Sequence, residues 1–102
     1  MQGDLTQAAD AEARAARAVE AFGEIGVLVN NAGGLIARKS MREMSLDHWT
    51  AVMDLNLTST FHMIKACLPH ITTGAIVNIA SQAGRDGGGG GSIAYATSKG
   101  AV

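Results

Sequence analysis

The chain has 102 residues, 47% of them hydrophobic, which is enough for one small domain with a modest core. Its eight lysines and arginines against nine aspartates and glutamates give a net charge of −1, which carries no electrostatic signature of a nucleic-acid or anionic-membrane partner. We also expect no membrane span and no secretory signal or transit peptide, because no apolar run approaches roughly 20 residues and acidic residues are frequent near the start.

The first predicted elements are a helix and a strand. Thr6 is placed to cap a helix whose apolar residues recur every three or four positions, and Gly23 is placed to end it. The short β-branched run from Ile25 to Val29 has no polar alternation, which is typical of a strand buried on both faces of a parallel sheet. The segment 30–33, Asn-Asn-Ala-Gly, then turns the chain, and taken in isolation it is an ordinary strand-ending turn.

A loop and a long helix follow. Residues 34–44 show no clear period and contain three basic residues, which predicts a surface loop that lies near the mouth of a site or is simply solvated. Ser45 is a candidate N-cap with Asp47 in the first turn, and Pro69 should end or kink the helix. Cys67, the only cysteine, cannot form an internal disulfide and suits a buried thiol in the reducing cytoplasm. The apolar stripe that predicts this helix comprises Leu46, Trp49, Met53, Leu57, Phe61, Ile64 and Leu68.

The last third of the chain predicts a second buried strand at residues 75–80, a glycine-rich loop that starts at Ser81, and a helix that begins near Ser92. The order helix, strand, helix, strand, helix is the pattern of crossover units in an α/β domain with a parallel sheet. Two such strands need neighbours on either side. We therefore interpret the chain as part of a larger domain.

Tyr95 and Lys99 stand four residues apart in the last predicted helix, so their side chains share one face. A nearby cation favours the phenolate form, which a phenol that titrates near pH ~10 needs for acid and base chemistry at neutral pH. Such a pair also occurs by chance on solvated helices.

Asn56 is a second unusual residue, because asparagine in the middle of a helix competes with the helical hydrogen bonds. A local bend and a bound water would explain it, and so would simple exposure to solvent.

Taken together and in order, the segment Asn30-Asn31-Ala32-Gly33, Asn56, Ser81 and Tyr95-x-x-x-Lys99 resemble the short-chain dehydrogenase/reductase family. The resemblance runs through essentially the whole chain but covers only the middle of that family's domain. It implies that residues 1–102 are the central segment of one NAD(P)-binding, Rossmann-like domain. The implied fold is a doubly wound parallel sheet in three layers, α/β/α, truncated at both ends.

The resemblance also implies roles. Tyr95 would act as the general acid or base, Lys99 would favour the tyrosinate and hold the nicotinamide ribose, and Ser81 would hydrogen-bond the reacting oxygen. Asn56 would hold a water in the proton relay, and Asp4 would contact the adenine. The implied cofactor is NAD or NADP, and its implied binding residues are Asp4, Leu5, Asn30, Ala32, Gly33, Tyr95 and Lys99. From the residues alone, Ser81 is equally suited to capping a turn.

The implied substrate is a small carbonyl compound or alcohol, of a 3-oxoacyl or a sugar and alcohol type, and the implied assembly is a homo-oligomer. The alternative hypothesis is a truncated, non-catalytic chain that only self-associates.

Other site chemistries fit the sequence less well. The glycines at 87–91 are not followed by the Gly-Lys-Ser/Thr of a phosphate loop, and Ser81 lacks the flanking glycines of a hydrolase elbow. We expect no metal, because His62, Cys67 and His70 have no second ligand cluster.

Overall fold

The computed structural model describes residues 2–102, which form a two-stranded parallel sheet and a set of helices. Helix α1 spans Ala8–Phe22, strand β1 Val27–Asn30 and helix α2 Leu46–Met53. A π-helical turn at Asp54–Thr58 continues α2 into helix α3 at Ser59–Cys67, and a 3-10 turn at Leu68–His70 follows. Strand β2 spans Ala75–Asn78, helix α4 Ala83–Asp86 and helix α5 Ile93–Ala101. The predicted order of elements is confirmed, with α4 as an addition inside the glycine-rich segment.

The sheet confirms the α/β class. Strands β1 and β2 run parallel, with Val27 opposite Ala75 and Asn30 opposite Asn78. On one face of the sheet, Leu28 packs into a core with Ala15 of α1 and Cys67 of α3. Val27 on β1 is 61% exposed. The expectation that this strand is buried on both faces is therefore wrong for residues 2–102, in which α1 and α3 contribute to the core on one face.

Two of the three predicted helix ends are confirmed and one is wrong. Ser45 caps α2 as predicted, since its hydroxyl accepts a hydrogen bond from the amide of His48 at 3.0 Å. Gly23 ends α1 with a φ of 86°, a conformation that favours glycine. The Thr6 cap is wrong: α1 begins at Ala8, and the Thr6 hydroxyl donates to the Asp4 carboxylate at 2.6 Å instead. A neighbouring carboxylate competes successfully for that hydroxyl.

Only part of the predicted apolar stripe of the long helix is buried. Leu46, Phe61 and Leu68 are all more than half exposed, whereas Ile64 packs against the core and Trp49, Met53 and Leu57 are half-buried. The fully buried face consists mostly of small or polar residues, namely Val52, Asn56, Ser59, Thr60 and Cys67. This face approaches α5 and α1, whose own buried residues include Ala11, Ala15, Ala94 and Ser98. Close packing of helices needs small side chains on both partners, so size decides the inward face here.

The helices and the single cysteine were also the subject of predictions. No helix within residues 2–102 is both long enough and apolar enough to cross a bilayer. Cys67 is buried, as predicted, and burial raises the pKa of its thiol because the charged thiolate is disfavoured away from water.

Candidate active site

Lys99 lies at the centre of the candidate site. It is only 7% exposed, and its Nζ donates a hydrogen bond to the backbone carbonyl of Ile79, just beyond β2, at 2.9 Å. Helix α5 carries Tyr95 one turn earlier, so the predicted common face of these two residues is confirmed. In residues 2–102 the ion pair that forms is Arg17 with Glu20 on the surface, so the buried ammonium of Lys99 has no carboxylate partner. A buried cation held by a neutral carbonyl is costly and marks a candidate functional group.

Asn56 lies in the π-helical turn and is completely buried. Its Oδ1 accepts a hydrogen bond from the amide of Gly34 at 2.9 Å. Its Nδ2 donates to the carbonyl of Gly34 at 2.8 Å and to that of Val52 at 2.9 Å. The solvent-facing alternative is therefore wrong, and the helix does depart from α geometry at this residue. The side chain ties the helix to the loop that follows β1.

Gly33 sits between these two groups. A Cβ atom at this position would lie 2.5 Å from Oδ1 of Asn56 and 3.0 Å from Nζ of Lys99. Both distances are shorter than ordinary van der Waals contact, so only glycine lets the backbone pass here. The structure thus brings Gly33, Asn56 and Lys99 together, although they are far apart in the sequence. Ala32, directly before, is half-buried.

Asn30 has a partner that sequence reasoning missed. Its Nδ2 donates to Oδ1 of Asn78 at 2.9 Å, and the two residues occupy matching positions at the ends of β1 and β2. The signal in the sequence is an asparagine after three apolar residues in each strand, Val-Leu-Val-Asn and Ala-Ile-Val-Asn, and the register of the sheet pairs these two asparagines. The Asn30 amide group therefore fixes the strand ends to each other.

Ser81 begins a turn three residues after the end of β2. Its Oγ accepts a hydrogen bond from the amide of Ala83 at 3.2 Å, and its carbonyl accepts from the amide of Gly84 at 3.0 Å. The capping role that the sequence left open is thus present. Since Oγ acts as an acceptor in this turn, its proton can still be donated to another oxygen. Ser81 lies two residues beyond the Ile79 carbonyl that Lys99 holds.

Asp4 and Leu5 lie elsewhere, next to the start of α1. The Asp4 carboxylate is exposed, and hydrogen bonds from the hydroxyl and amide of Thr6 lower its pKa. The Leu5 carbonyl contacts Nδ1 of His62 on α3 at 3.0 Å. No hydrogen bond within residues 2–102 joins either residue to Gly33, Asn56 or Lys99.

Comparison with known proteins settles the family. The family model described as short chain dehydrogenase matches residues 1–102. The chain belongs to the short-chain dehydrogenase family.

Relatives of known name are dehydrogenases and reductases. The chain is 46% identical over 76 residues to 2-dehydro-3-deoxy-D-gluconate 5-dehydrogenase of Escherichia coli (strain K12), a match that covers 71% of this chain and 30% of that protein. It is 34% identical over 109 residues to glucose 1-dehydrogenase 2 of Bacillus subtilis (strain 168), which covers 100% of this chain and 41% of that protein. The chain therefore spans less than half the length of these relatives.

Solved structures confirm the fold. The chain superposes with a TM-score of 0.94 on NADH-dependent reductase A1-R', described as responsible for alginate metabolism. The two sequences are 37% identical, and the match covers 98% of this chain and 44% of that one. The same reductase has been solved in complex with NAD. The parallel sheet and helices described above are thus a segment of the short-chain dehydrogenase fold.

A cleft of about 490 Å³ lies beside the candidate site residues rather than at them. Its walls include Lys39 and Met41 of the loop after β1, Gly84 of α4 and Thr97 of α5, but not Ser81, Tyr95 or Lys99. Arg38 in the same loop donates hydrogen bonds to the Gly90 carbonyl and to Ser92 Oγ, which holds the loop close to the start of α5. Among the described residues, no three histidine, cysteine or acidic side chains are grouped so that they could hold a metal ion.

Proposed function

We propose that this chain supplies the proton-transfer groups of an oxidoreductase that moves a hydride between NAD or NADP and a small carbonyl or alcohol substrate. The observation that carries the proposal is the buried Lys99 ammonium, held by the Ile79 carbonyl on the helix face that also carries Tyr95. Membership in the short-chain dehydrogenase family supports it. The alternative, a chain that only self-associates, has no comparable support.

The residues around Lys99 fit a nicotinamide cofactor. Gly33 has no side chain to obstruct an approaching ligand, and Ala32 is small. An ammonium has three N–H donors, and Ile79 takes one, which leaves two for ribose hydroxyl groups. When bound, the cofactor would supply or accept the hydride. Asn30 would keep the strand ends in place beneath it, and Asp4 and Leu5 would lie toward its adenine.

The residues of the chain would transfer the proton that accompanies the hydride. In the direction of reduction, the Tyr95 hydroxyl would donate a proton to the substrate oxygen, and the hydroxyl of Ser81 would hydrogen-bond the same oxygen as charge develops on it. The Asn56 side chain donates both Nδ2 hydrogens, to the carbonyls of Gly34 and Val52, and its Oδ1 accepts one hydrogen bond from the Gly34 amide. A relay water at Asn56 would therefore donate to the second lone pair of Oδ1 or to a main-chain carbonyl of the π-helical turn.

The substrate class, location and assembly are part of the same proposal. Relatives are named both as a ketoacyl reductase and as a glucose dehydrogenase, so both substrate types belong in a test. We propose a cytoplasmic protein that works as a homo-oligomer and has no nucleic-acid or membrane partner, in keeping with its net charge of −1.

The test is Tyr95→Phe in the protein expressed from its full natural reading frame. Turnover is followed by the absorbance of the reduced nicotinamide, with NAD and NADP each offered and a panel of sugars, alcohols and 3-oxoacyl compounds. We expect turnover to fall by about 10²–10⁴-fold, the contribution of a positioned acid–base group, while nicotinamide binding persists. Thr97→Ala, an exposed residue on the same helix, is the control and should keep wild-type turnover. Wild-type turnover in Tyr95→Phe would refute the proposal.

A further inference from the structure

The contact between α4 and α5 is closer than any side chain would allow. A Cβ atom on Gly84 would lie 2.6 Å from the backbone nitrogen of Gly100, and 2.7 Å and 2.8 Å from the carbonyl carbon and oxygen of Lys99. All three are backbone atoms inside a helix, so none can swing aside as a flexible side chain would. Glycine at position 84 is therefore a condition of this contact.

Gly84 is also part of the turn that carries Ser81. Its amide donates to the Ser81 carbonyl at 3.0 Å, and the neighbouring Ala83 amide donates to the Ser81 hydroxyl at 3.2 Å. On the other side of Ser81, the Ile79 carbonyl accepts the hydrogen bond from Lys99 Nζ at 2.9 Å. Lys99 thus meets the chain on both sides of Ser81, with a hydrogen bond from its ammonium to Ile79 and a close backbone contact at Gly84.

We infer that Gly84 is a positioning residue that sets the Ser81 hydroxyl relative to the Tyr95 and Lys99 side chains. This inference rests on the proposed function. A residue that only permitted packing would change stability when replaced, whereas a residue that sets the distance between Ser81 and α5 changes the rate of the chemical step even in a folded protein.

The expected size of the effect follows from the contact distances. Ordinary contact begins at 3.4 Å, so an alanine at position 84 must move away from Gly100 by at least about 0.8 Å, and a misplacement of ~1 Å costs a reaction on the order of 10²-fold. Because Ser81 is bonded to the same turn, it moves with α4. We expect kcat of Gly84→Ala to fall by roughly 10- to 100-fold, with KM for the nicotinamide cofactor unchanged because Lys99 stays on its own helix.

The matched control is Gly90→Ala in the same glycine-rich segment. A Cβ atom at Gly90 would meet nothing within 4 Å, and the residue does not have a left-handed φ. This variant should keep wild-type kcat. Both variants are made in the protein expressed from its full natural reading frame, and thermal unfolding is measured beside the kinetics.

The double variant Gly84→Ala/Ser81→Ala tests whether Gly84 acts on the rate through Ser81 or by disturbing the fold in general. If Gly84 acts through Ser81, adding Gly84→Ala to Ser81→Ala should lower kcat little further. If the two losses multiply, or if Gly84→Ala keeps wild-type kcat, the inference is overturned.

A milder variant covers the case in which Gly84→Ala does not fold. A Cβ atom at Gly100 would lie 3.2 Å from the Gly84 carbonyl oxygen, only slightly inside ordinary contact. Alanine also favours the helix over glycine, so Gly100→Ala should keep or raise the melting temperature while kcat falls severalfold. An unchanged kcat in Gly100→Ala, with Gly84→Ala unfolded, overturns the inference as well.

These outcomes are distinct from failure of the proposed function. That failure would appear as wild-type turnover in Tyr95→Phe, or as no nicotinamide-dependent turnover in the wild type, and the inference would then fall with it. Turnover that depends on Tyr95 but not on Gly84 would refute the inference alone.

Discussion

Replacing Gly33 by alanine should destabilise the protein through one residue, Asn56. The new Cβ atom would lie 2.5 Å from Oδ1 of Asn56, which is completely buried. The added methyl group therefore displaces the Asn56 amide from the backbone of Gly34, where it now makes bonds of 2.9 Å and 2.8 Å.

The magnitude comes from those bonds. Each lost hydrogen bond removes about 1 kcal/mol of net stability, and a buried amide left unpaired costs about 1–3 kcal/mol. The bond from Asn56 to Val52 lies within the helix and can persist. We therefore expect the free energy of unfolding to fall by about 2–4 kcal/mol.

Urea unfolding followed by circular dichroism measures this loss. Gly26→Ala is the control, since a Cβ atom at Gly26 would meet nothing within 4 Å, and its stability should stay near that of the wild type. In an Asn56→Ala background, Gly33→Ala should cost clearly less, because the displaced amide is already gone. Equal stability of Gly33→Ala and Gly26→Ala would refute the reasoning.

Two further predictions concern pH and the loop after β1. Burial raises the pKa of the Cys67 thiol in the folded protein above its ordinary value of 9.0. The folded state therefore keeps its full stability below pH 9.0 and loses part of it as the pH rises toward the raised pKa, because the unfolded chain ionises first. The free energy of unfolding should therefore decline more steeply with alkaline pH in the wild type than in Cys67→Ala, and equal slopes would contradict this. Arg38 Nη1 donates to the Gly90 carbonyl and to Ser92 Oγ, each at 2.9 Å. In Arg38→Lys we expect a loss of about 0.5–1.5 kcal/mol and faster amide hydrogen exchange at residues 88–92, absent in the control Arg42→Lys; identical exchange in both would count against it.

Features that depend on neighbouring residues could be predicted from the sequence. The Ser45 cap, the end of α1 at Gly23 and the change of helix type at Pro69 all follow from backbone chemistry within one turn. The common face of Tyr95 and Lys99 follows from helical spacing alone. The order of elements then gives the α/β class.

Partners distant in the sequence could not be predicted. Asn56 stood out as costly in a helix, but its partner, Gly34, is 22 residues away, and only the folded chain shows it. The same holds for Asn30, whose partner Asn78 depends on the register between two strands. In both cases the side chain that was expected to meet a ligand or water is engaged by the protein itself.

Helix α4 lies inside the segment that was predicted as a glycine-rich loop. Gly84 permits it, because a larger residue at this position could not approach α5 so closely. Composition reports how freely a glycine can move in the unfolded chain. It does not report how closely another backbone lies in the folded one.

The π-helical turn at Asp54–Thr58 makes chain length itself part of the site. Helix α2 contacts α5, whereas α3 contacts α1 and β1, and the turn between them sets their relative rotation. Deleting one residue there would restore a regular α-helix and remove the wide turn. Asn56 would then lose the position from which it reaches Gly34, although nearly every side chain had been kept. A one-residue gap across this turn, in a variant or in a relative, therefore signals a rebuilt site rather than harmless variation in length.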